Sequence, residues 1–347
     1  MKNIRYYVGA IFLFSLLSAA FIGCNPGIER RDYSDPAFRV DITVELDMIA
    51  VDPIMPNFII DMEYYQGKLV MMYWLDNEFI HLFDAETGEK LGSALPEGRG
   101  TGEMIFPSCI RLNRLDGTFT TFDKSTRQLY SGQIDSLFKG VPISRINEDF
   151  STASRVYYLS QGYFKFLPPI HSAPERRYVM VKWDGEEVKY EGYPHDDFRL
   201  MHASFAPHNI GFSKDETKMV AAGTYGMILE IFNIEKGINN THTRYFWQTF
   251  ENIETGRPDS EKSGIGIVDF YCTDKYIYAI VGEPNTDKRY ENIVIFDWKG
   301  NPLKILRTNH YRLNRICLDD EEHYLYVVGE RIDGIQFIGR LDLTKIL

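Results

Sequence analysis

The sequence has few cysteines, little helical periodicity and no excess of basic residues. Its 347 residues include only 4 cysteines. The 38 Lys and Arg residues are outnumbered by 49 Asp and Glu residues, which gives a formal net charge of -11. Because an acidic chain repels phosphate backbones, general nucleic-acid binding is not expected. With 44% hydrophobic and 14% aromatic residues, the chain nevertheless has enough apolar mass for a large core.

Motifs of the easily recognised enzyme classes are also absent. The sequence contains no Walker A sequence, no G-x-S-x-G elbow and no H-E-x-x-H motif. Three cysteines, Cys109, Cys272 and Cys317, lie far apart in strand-like apolar runs and form no C-x-x-C pair. An odd number at such spacings is a poor disulfide framework and a poor zinc site. We therefore expect buried free thiols.

The longest strongly apolar run lies at the N-terminus and is too short for a membrane span. It covers residues 8–22, which are 15 residues, whereas a spanning helix needs about 20. Lys2 and Arg5 precede it, and small residues follow it before a break. This order is typical of a secretory signal, which takes no part in the fold.

The end of this segment is Phe21-Ile22-Gly23-Cys24, which resembles the bacterial lipobox. The resemblance implies that residues 1–23 are a lipoprotein signal peptide and that Cys24 becomes the lipidated N-terminus. Asn25 follows instead of an aspartate, which favours the outer membrane, on a leaflet that the sequence leaves open. Residues 24–37 are short, polar and interrupted by proline and glycine, as a tether would be.

The sequence pattern of the rest of the chain predicts a repeat of β-strands. Glu78–Asp84, 228–233 and 293–297 are each an apolar run that closes on an acid or amide, with glycine soon after. Weaker copies end at Asp135, Asp184 and Asp342. We interpret the terminal acid or amide as a turn residue, because its side chain can accept hydrogen bonds from the backbone of the next turn.

Six copies predict an all-β fold, a six-bladed β-propeller of four-stranded antiparallel blades. Residues 38–347 hold six units of about 52 residues, which is near the length of propeller repeats. A closed ring leaves no unpaired strand edge. Residues 38–47 alternate apolar and polar side chains, and the chain has too few residues after 343 for an outer strand. We expect residues 38–47 to complete blade six and close the ring.

This pattern resembles the TolB-like six-bladed β-propeller lipoproteins of Bacteroidetes. The resemblance covers the lipobox, the blade period and a glycine-rich segment, Gly98-Arg-Gly-Thr-Gly-Glu103, which is followed by Phe106-Pro107. It implies a fold and an envelope location, but no residue-level activity. Because no helix follows the glycine-rich segment, we interpret it as a turn between blades and not as a phosphate loop.

Candidate ligand-binding residues lie in the connections from each outer strand to the next inner strand. These connections open on one face of a propeller, where loops on a rigid scaffold often bind ligands. The candidate rim residues are Arg99, Glu103, His195, Asp197, Arg199, His202 and His310. The histidine-rich segment has three interpretations: a solvated loop whose histidines make local hydrogen bonds, which we favour, a metal-free binding surface, and a metal site formed by His195, His202 and Asp197. We expect no catalytic residue, no metal and no cofactor.

Three functions fit these features. The first is a lipid-anchored, non-enzymatic binding or scaffold protein of the bacterial envelope, whose loop face recognises a protein, peptide or glycan. The second is a metal-dependent lactonase- or lyase-like enzyme with its site at the mouth of the central channel. The third is a lipoprotein subunit of a nutrient-uptake assembly. No sequence feature separates the three.

Overall fold

The computed structural model covers most of the repeat region. It describes residues 40–51, 55–56, 58–167, 177–190, 209–223, 226–247, 251–252, 257–258, 266–282, 291–308 and 310–347. The predicted signal peptide, the lipidation site Cys24 and the predicted rim residues His195, Asp197, Arg199 and His202 lie outside these residues. Across the described part of the chain, no helix has the length and apolarity needed to cross a membrane.

The first half of the described chain forms three four-stranded antiparallel sheets after two short strands. The short strands are β1 (Asp41–Thr43) and β2 (Asp47–Val51). Blade one contains β3 (Asp61–Tyr65), β4 (Lys68–Leu75), β5 (Glu78–Asp84) and β6 (Lys90–Pro96). Blade two contains β7 (Pro107–Leu112), β8 (Thr118–Asp123), β9 (Gln128–Gln133) and, after the short helix α1 (Ile134–Leu137), β10 (Ser144–Arg145). Blade three contains β11 (Arg155–Leu159), β12 (Gly162–Phe166), β13 (Tyr178–Lys182) and β14 (Glu187–Tyr190).

The second half forms three further blades. Blade four contains β15 (Asn209–Phe212), β16 (Lys218–Ala222), β17 (Met227–Asn233) and β18 (Asn239–Trp247). A separate two-stranded ladder, β19 (Glu251–Asn252) with β20 (Arg257–Pro258), follows it. Blade five contains β21 (Ile267–Cys272), β22 (Tyr276–Val281), β23 (Asn292–Asp297) and β24 (Pro302–Arg307). Blade six contains β25 (Tyr311–Leu318), β26 (Tyr324–Arg331) and β27 (Gln336–Asp342), before a 3₁₀ helix at Leu343–Lys345. The six-bladed all-β propeller is therefore confirmed.

The sequence repeat marks the third strand of each blade, and in five of the six blades its terminal acid or amide caps the turn that follows. The carboxylate Oδ1 of Asp84 accepts hydrogen bonds from the backbone N–H groups of Glu86 and Thr87, at 2.9 and 2.8 Å. Oδ1 of Asp297 accepts from the N–H groups of Lys299 and Asn301, at 2.8 and 2.9 Å. The predicted turn role is confirmed for five of the six residues, because a short side chain satisfies backbone donors that the strand ladder leaves unpaired. It was wrong for Asp135, which lies in α1 and accepts a hydrogen bond from the hydroxyl of Tyr65 at 3.5 Å.

An N-terminal strand closes the ring, but it begins later than predicted. β2 pairs antiparallel with β27 and completes blade six, whereas β1 pairs in parallel with β24 as a fifth strand of blade five. The prediction of a single closing strand over residues 38–47 was therefore wrong in its bounds, because the strand that closes the ring is Asp47–Val51. The alternating pattern continues because Val44 and Leu46, which connect the two strands, are buried against apolar residues of blades five and six. Periodicity alone does not distinguish one long strand from two short strands joined by a buried link.

The core lies between neighbouring blades, where each sheet packs its apolar side chains against the next. Blades one and six, for example, meet through Tyr73 and Phe83 on one side and Val328 and Ile338 on the other. The cysteines Cys109, Cys272 and Cys317 lie in inner strands and are buried free thiols, as predicted. Burial raises the pKa of all three thiols, which makes the reactive thiolate scarce.

Candidate functional site

A central cavity of about 1050 Å³ runs along the axis of the ring. Its wall is built from the inner strands β3, β7, β11, β15, β21 and β25 and from several turns that follow them. Each inner strand is reached from the outer strand of the preceding blade, so all six run in the same direction. The turns after them therefore gather at one end of the cavity, which we call the mouth. It includes residues 113–116, Ser160, residues 213–216 and Asp320.

The predicted rim residues that the structure describes lie near the opposite ends of the inner strands. Arg99 and Glu103 precede β7, whereas the mouth residues follow it, and His310 comes directly before β25. Arg99 and His310 are exposed, and none of these three residues is among those that line the cavity. Whether they form a rim with the residues of 194–208 stays a prediction.

The glycine-rich segment is a closed turn between blades one and two, as predicted. Oε2 of Glu103 accepts a hydrogen bond from the backbone N–H of Gly100 at 2.6 Å. A Cβ atom at position 98 would collide with the same carboxylate, so Gly98 allows the turn to close on it. The carboxylate of Glu103 thus occupies the place that a bound anion would need.

Two aspartates at equivalent positions connect neighbouring blades deep in the cavity. Oδ2 of Asp61 in β3 accepts a hydrogen bond from the N–H of Ile110 in β7 at 2.9 Å. Oδ2 of Asp269 in β21 accepts one from the N–H of Ile316 in β25, also at 2.9 Å. Burial raises the pKa of both carboxyl groups, and it raises that of Asp269 to about 7. The positive charge of nearby Arg315 lowers both pKa values but does not cancel the effect of burial.

Two arginines share this deep level with the aspartates. Arg315 donates from Nε to the backbone carbonyl of Ile60 at 3.0 Å, which connects blade six to blade one. Arg155 in β11 lies near the hydroxyl of Tyr157, with Nη1 at 3.4 Å from that oxygen. The deep level therefore presents two guanidinium groups and two carboxyl groups, held by strands of four different blades.

Two further arginines from blade two occupy the mouth. Nη2 of Arg111 lies 2.6 Å from Oε1 of Glu216, which is in the turn after β15. The guanidinium of Arg111 also stacks over the ring of Phe212, the last residue of β15, at 5.0 Å. Oε2 of Glu216 accepts a hydrogen bond from the N–H of Ser160 in the turn after β11, at 2.6 Å. Nearby Arg111 and these hydrogen bonds outweigh burial and lower the pKa of Glu216.

Arg114 reaches the other side of the mouth. It lies 3.3 Å from Oε2 of Glu63 in blade one and 3.3 Å from Oδ1 of Asp320 in blade six, and it stacks over Tyr271 of blade five at 5.1 Å. Burial raises the pKa of Glu63 to about 7 in spite of this partner. The two arginines thus connect blade two to four other blades across the mouth.

Sequence reasoning missed these cavity residues. The available signal was a charged side chain within an otherwise apolar strand, as at Asp61, Arg155 and Asp269. No metal cluster was expected, and among the residues that the structure describes no group of three or more His, Cys, Asp or Glu is placed to hold an ion. The loop with His195, Asp197 and His202 lies outside that statement.

Comparison with known proteins agrees with the fold. A crystal structure of a protein from Bacteroides fragilis NCTC 9343, which its name provisionally classes as exported, is similar with a TM-score of 0.53. The two chains share 12% sequence identity, and the match covers 83% of this chain and 87% of the other. No curated protein matches the chain. The family model of the TolB-like 6-blade propeller-like proteins matches residues 58–321, so the chain belongs to the TolB-like six-blade propeller family.

Proposed function

We propose that the protein is a non-enzymatic binding protein of the bacterial envelope that takes part of a glycan or peptide into its central cavity. The observation that carries the proposal is the cavity itself, which has charged, hydroxyl and aromatic side chains converging from all six blades. Its volume of about 1050 Å³ slightly exceeds the range of small-molecule sites, which are about 300 to 1,000 Å³, and leaves room for part of a larger ligand.

The polarity of the cavity argues for a ligand and against a purely structural channel. Charged side chains seldom line an interior unless they are paired or used, because their desolvation is costly. Here Asp61, Asp269, Arg155 and Arg315 all lie deep in the ring. Apolar side chains could have filled the same space, as they do between the blades. A polar ligand would replace the water that these groups otherwise require.

We also propose that lipid on Cys24 holds the protein in the envelope, most simply at the outer membrane. Support comes from the lipobox-like residues 21–24 and from the exported character given in the name of the similar Bacteroides protein. The test is metabolic labelling with an alkyne fatty acid in a bacterial host. Label should enter the wild-type chain and not the Cys24→Ala variant. Equal labelling of both, or of neither, would contradict the anchor.

Binding can be tested by the shift in melting temperature with soluble probes. The probes are neutral oligosaccharides, acidic oligosaccharides and tripeptides, since a ligand that binds only the folded state raises the melting temperature. At least one class should give a saturable rise, which Glu63→Gln in the cavity alters. The matched control is Glu321→Gln, whose side chain is 76% exposed. No rise with any class would overturn the proposal.

A second candidate is an acid–base enzyme of the lyase type, favoured by one observation. Glu63 and Asp269 both have a pKa of about 7 within the same cavity, and carboxyl groups with such values can exchange protons near neutral pH. Incubation of the bound probe with the protein separates the candidates. Turnover that Glu63→Gln or Asp269→Asn abolishes supports an enzyme, and recovery of intact probe supports a binding protein.

A further inference from the structure

Three aromatic rings, two of them exposed and one half-buried, form a cluster beside the mouth of the cavity. Tyr158, Tyr163 and Trp183, which we call the aromatic platform, have ring centroids 4.8 to 5.8 Å apart. Tyr158 is 40% exposed and Trp183 is 48% exposed. Trp183 donates from Nε1 to the carbonyl of Ser160 at 2.6 Å, which fixes the indole against the turn after β11.

The platform is continuous with the cavity. Tyr158 and Ser160 both line the cavity, and Trp183 contacts both of them. A ligand that leaves the cavity on this side therefore passes next to these aromatic rings. Exposed aromatic surface next to a polar cavity suits a ligand with an apolar face and a polar edge.

The deep level supplies matched hydrogen-bond donors and acceptors. A guanidinium carries five N–H groups, and Arg315 uses two of them to donate to backbone carbonyls. Within the described part of the chain, no hydrogen-bond acceptor pairs with the other three. A carboxylate offers about four lone-pair sites, and the Asp61 carboxylate has backbone N–H partners at two of them, from Met62 and Ile110.

Two arginines and two aspartates lie at this level, so it offers hydrogen-bond donors and acceptors side by side. A ligand with many hydroxyl groups matches that arrangement, because each hydroxyl both donates and accepts. Pyranose rings combine such hydroxyl edges with C–H faces that can pack on aromatic rings.

We infer that the ligand is an uncharged oligosaccharide, whose terminal ring enters the cavity between Asp61 and Arg315 while the next ring packs on Tyr158 and Trp183. This inference rests on the proposed binding function and names its ligand class. A zwitterionic peptide would satisfy the deep level equally well, but it gives no reason for an exposed platform at the mouth.

The experiment combines a broad printed array of neutral and acidic glycans with a tripeptide library. The inference expects neutral glycans among the binders, with affinity then measured by calorimetry on the soluble oligosaccharide of each. Trp183→Ala should weaken binding about tenfold or more, which corresponds to ~1.4 kcal/mol. Trp183→Phe, which keeps an aromatic face, should retain most of the affinity.

Trp74 offers a matched control. Its side chain is 53% exposed, and its Nε1 donates to Oε2 of Glu97 at 2.7 Å, but it lies before the turn between β4 and β5, at the end of the ring opposite the mouth. Trp74→Ala should leave affinity unchanged. An equal loss in both alanine variants would contradict the platform.

The outcomes separate the ligand class from the binding function. Tripeptide binding without glycan binding overturns the oligosaccharide and leaves the binding function in place. Binding of acidic glycans alone also overturns the uncharged ligand. No binding on either library overturns both. Glycan binding that is unchanged in Trp183→Ala overturns the platform and therefore the inference.

Discussion

Arg111 and Arg114 lie three residues apart at the end of one inner strand and reach opposite sides of the central cavity. Arg111 pairs with Glu216 after β15, with 2.6 Å between Nη2 and Oε1, whereas Arg114 pairs with Glu63 in β3 and with Asp320 after β25. Blade two therefore connects both sides of the mouth, and side chains of several blades keep it polar. Four predictions follow from this arrangement and from the fold around it.

The buried ion pair between Arg177 and Glu230 should hold blades three and four together. Nη2 and Oε2 are 2.6 Å apart, and both side chains are 1% exposed. Removing one partner leaves a buried charge, so Arg177→Met alone should reduce the free energy of unfolding by about 3–5 kcal/mol. The double variant Arg177→Met/Glu230→Leu should recover much of that loss. Urea unfolding of wild type, Arg177→Met, Glu230→Leu and the double variant measures this, and simple additivity of the two single-variant losses would contradict it.

Ring closure should depend on β2 and not on β1. A chain that begins at Asp47 keeps the pairing of β2 with β27 and should still unfold cooperatively, at a lower temperature because Val44 and Leu46 are lost. A chain that begins at residue 52 exposes the edge of β27 and should aggregate or lose its cooperative transition. Calorimetry and light scattering compare the two. Identical melting of both chains would rule out closure by β2.

Glu63 should make stability fall as pH rises. Its pKa is raised from 4.5 to about 7 in the fold, so between these values the folded state holds a proton that the unfolded state has lost. Stability therefore decreases with pH across this window. Asp269, whose pKa is also raised to about 7, adds a slope of the same sign. Glu63→Gln should therefore make the decrease shallower and gain stability relative to wild type as pH approaches 7, whereas Glu321→Gln should follow wild type. Urea unfolding at a series of pH values is the measurement, and parallel curves for wild type and Glu63→Gln would contradict it.

The blade pattern was readable from sequence because five of the six third strands are followed by a residue that caps the next turn. Asp84, Asn233 and Asp297 follow apolar strands and bond the next turn, so a turn signal coincides with a change in hydrophobic pattern. Strand order and blade number followed from that repeat. The change of blade between β1 and β2 did not, because Val44 and Leu46 keep the alternating pattern while the chain passes from one sheet to the next.

The cavity was not predicted because its residues are distant in sequence and share no motif. Asp61 and Asp269 belong to strands with little identity, and their common role is a hydrogen bond to the next blade. Sequence reasoning also placed the site in the connections that precede the inner strands. The polar mouth that the structure describes lies in the turns after them, as at Glu216 and Asp320.

Selective labelling tests whether the cavity is entered at this mouth. The native thiols Cys109, Cys272 and Cys317 are buried with raised pKa values, so in a Cys24→Ala background a single introduced cysteine should react alone with a maleimide. Leu115, which is 94% exposed, lies at the mouth, and Ile332, which is 78% exposed, lies after β26 at the other end of the ring. These two positions therefore form a matched pair.

The most direct measurement is calorimetric titration of Leu115→Cys and Ile332→Cys, each carrying a bulky maleimide, with the best-binding soluble probe. The account predicts that the label at position 115 abolishes or strongly weakens binding and that the label at position 332 leaves it unchanged. Equal affinity in both labelled proteins, or loss only at position 332, would contradict a binding site entered between the turns that follow the inner strands.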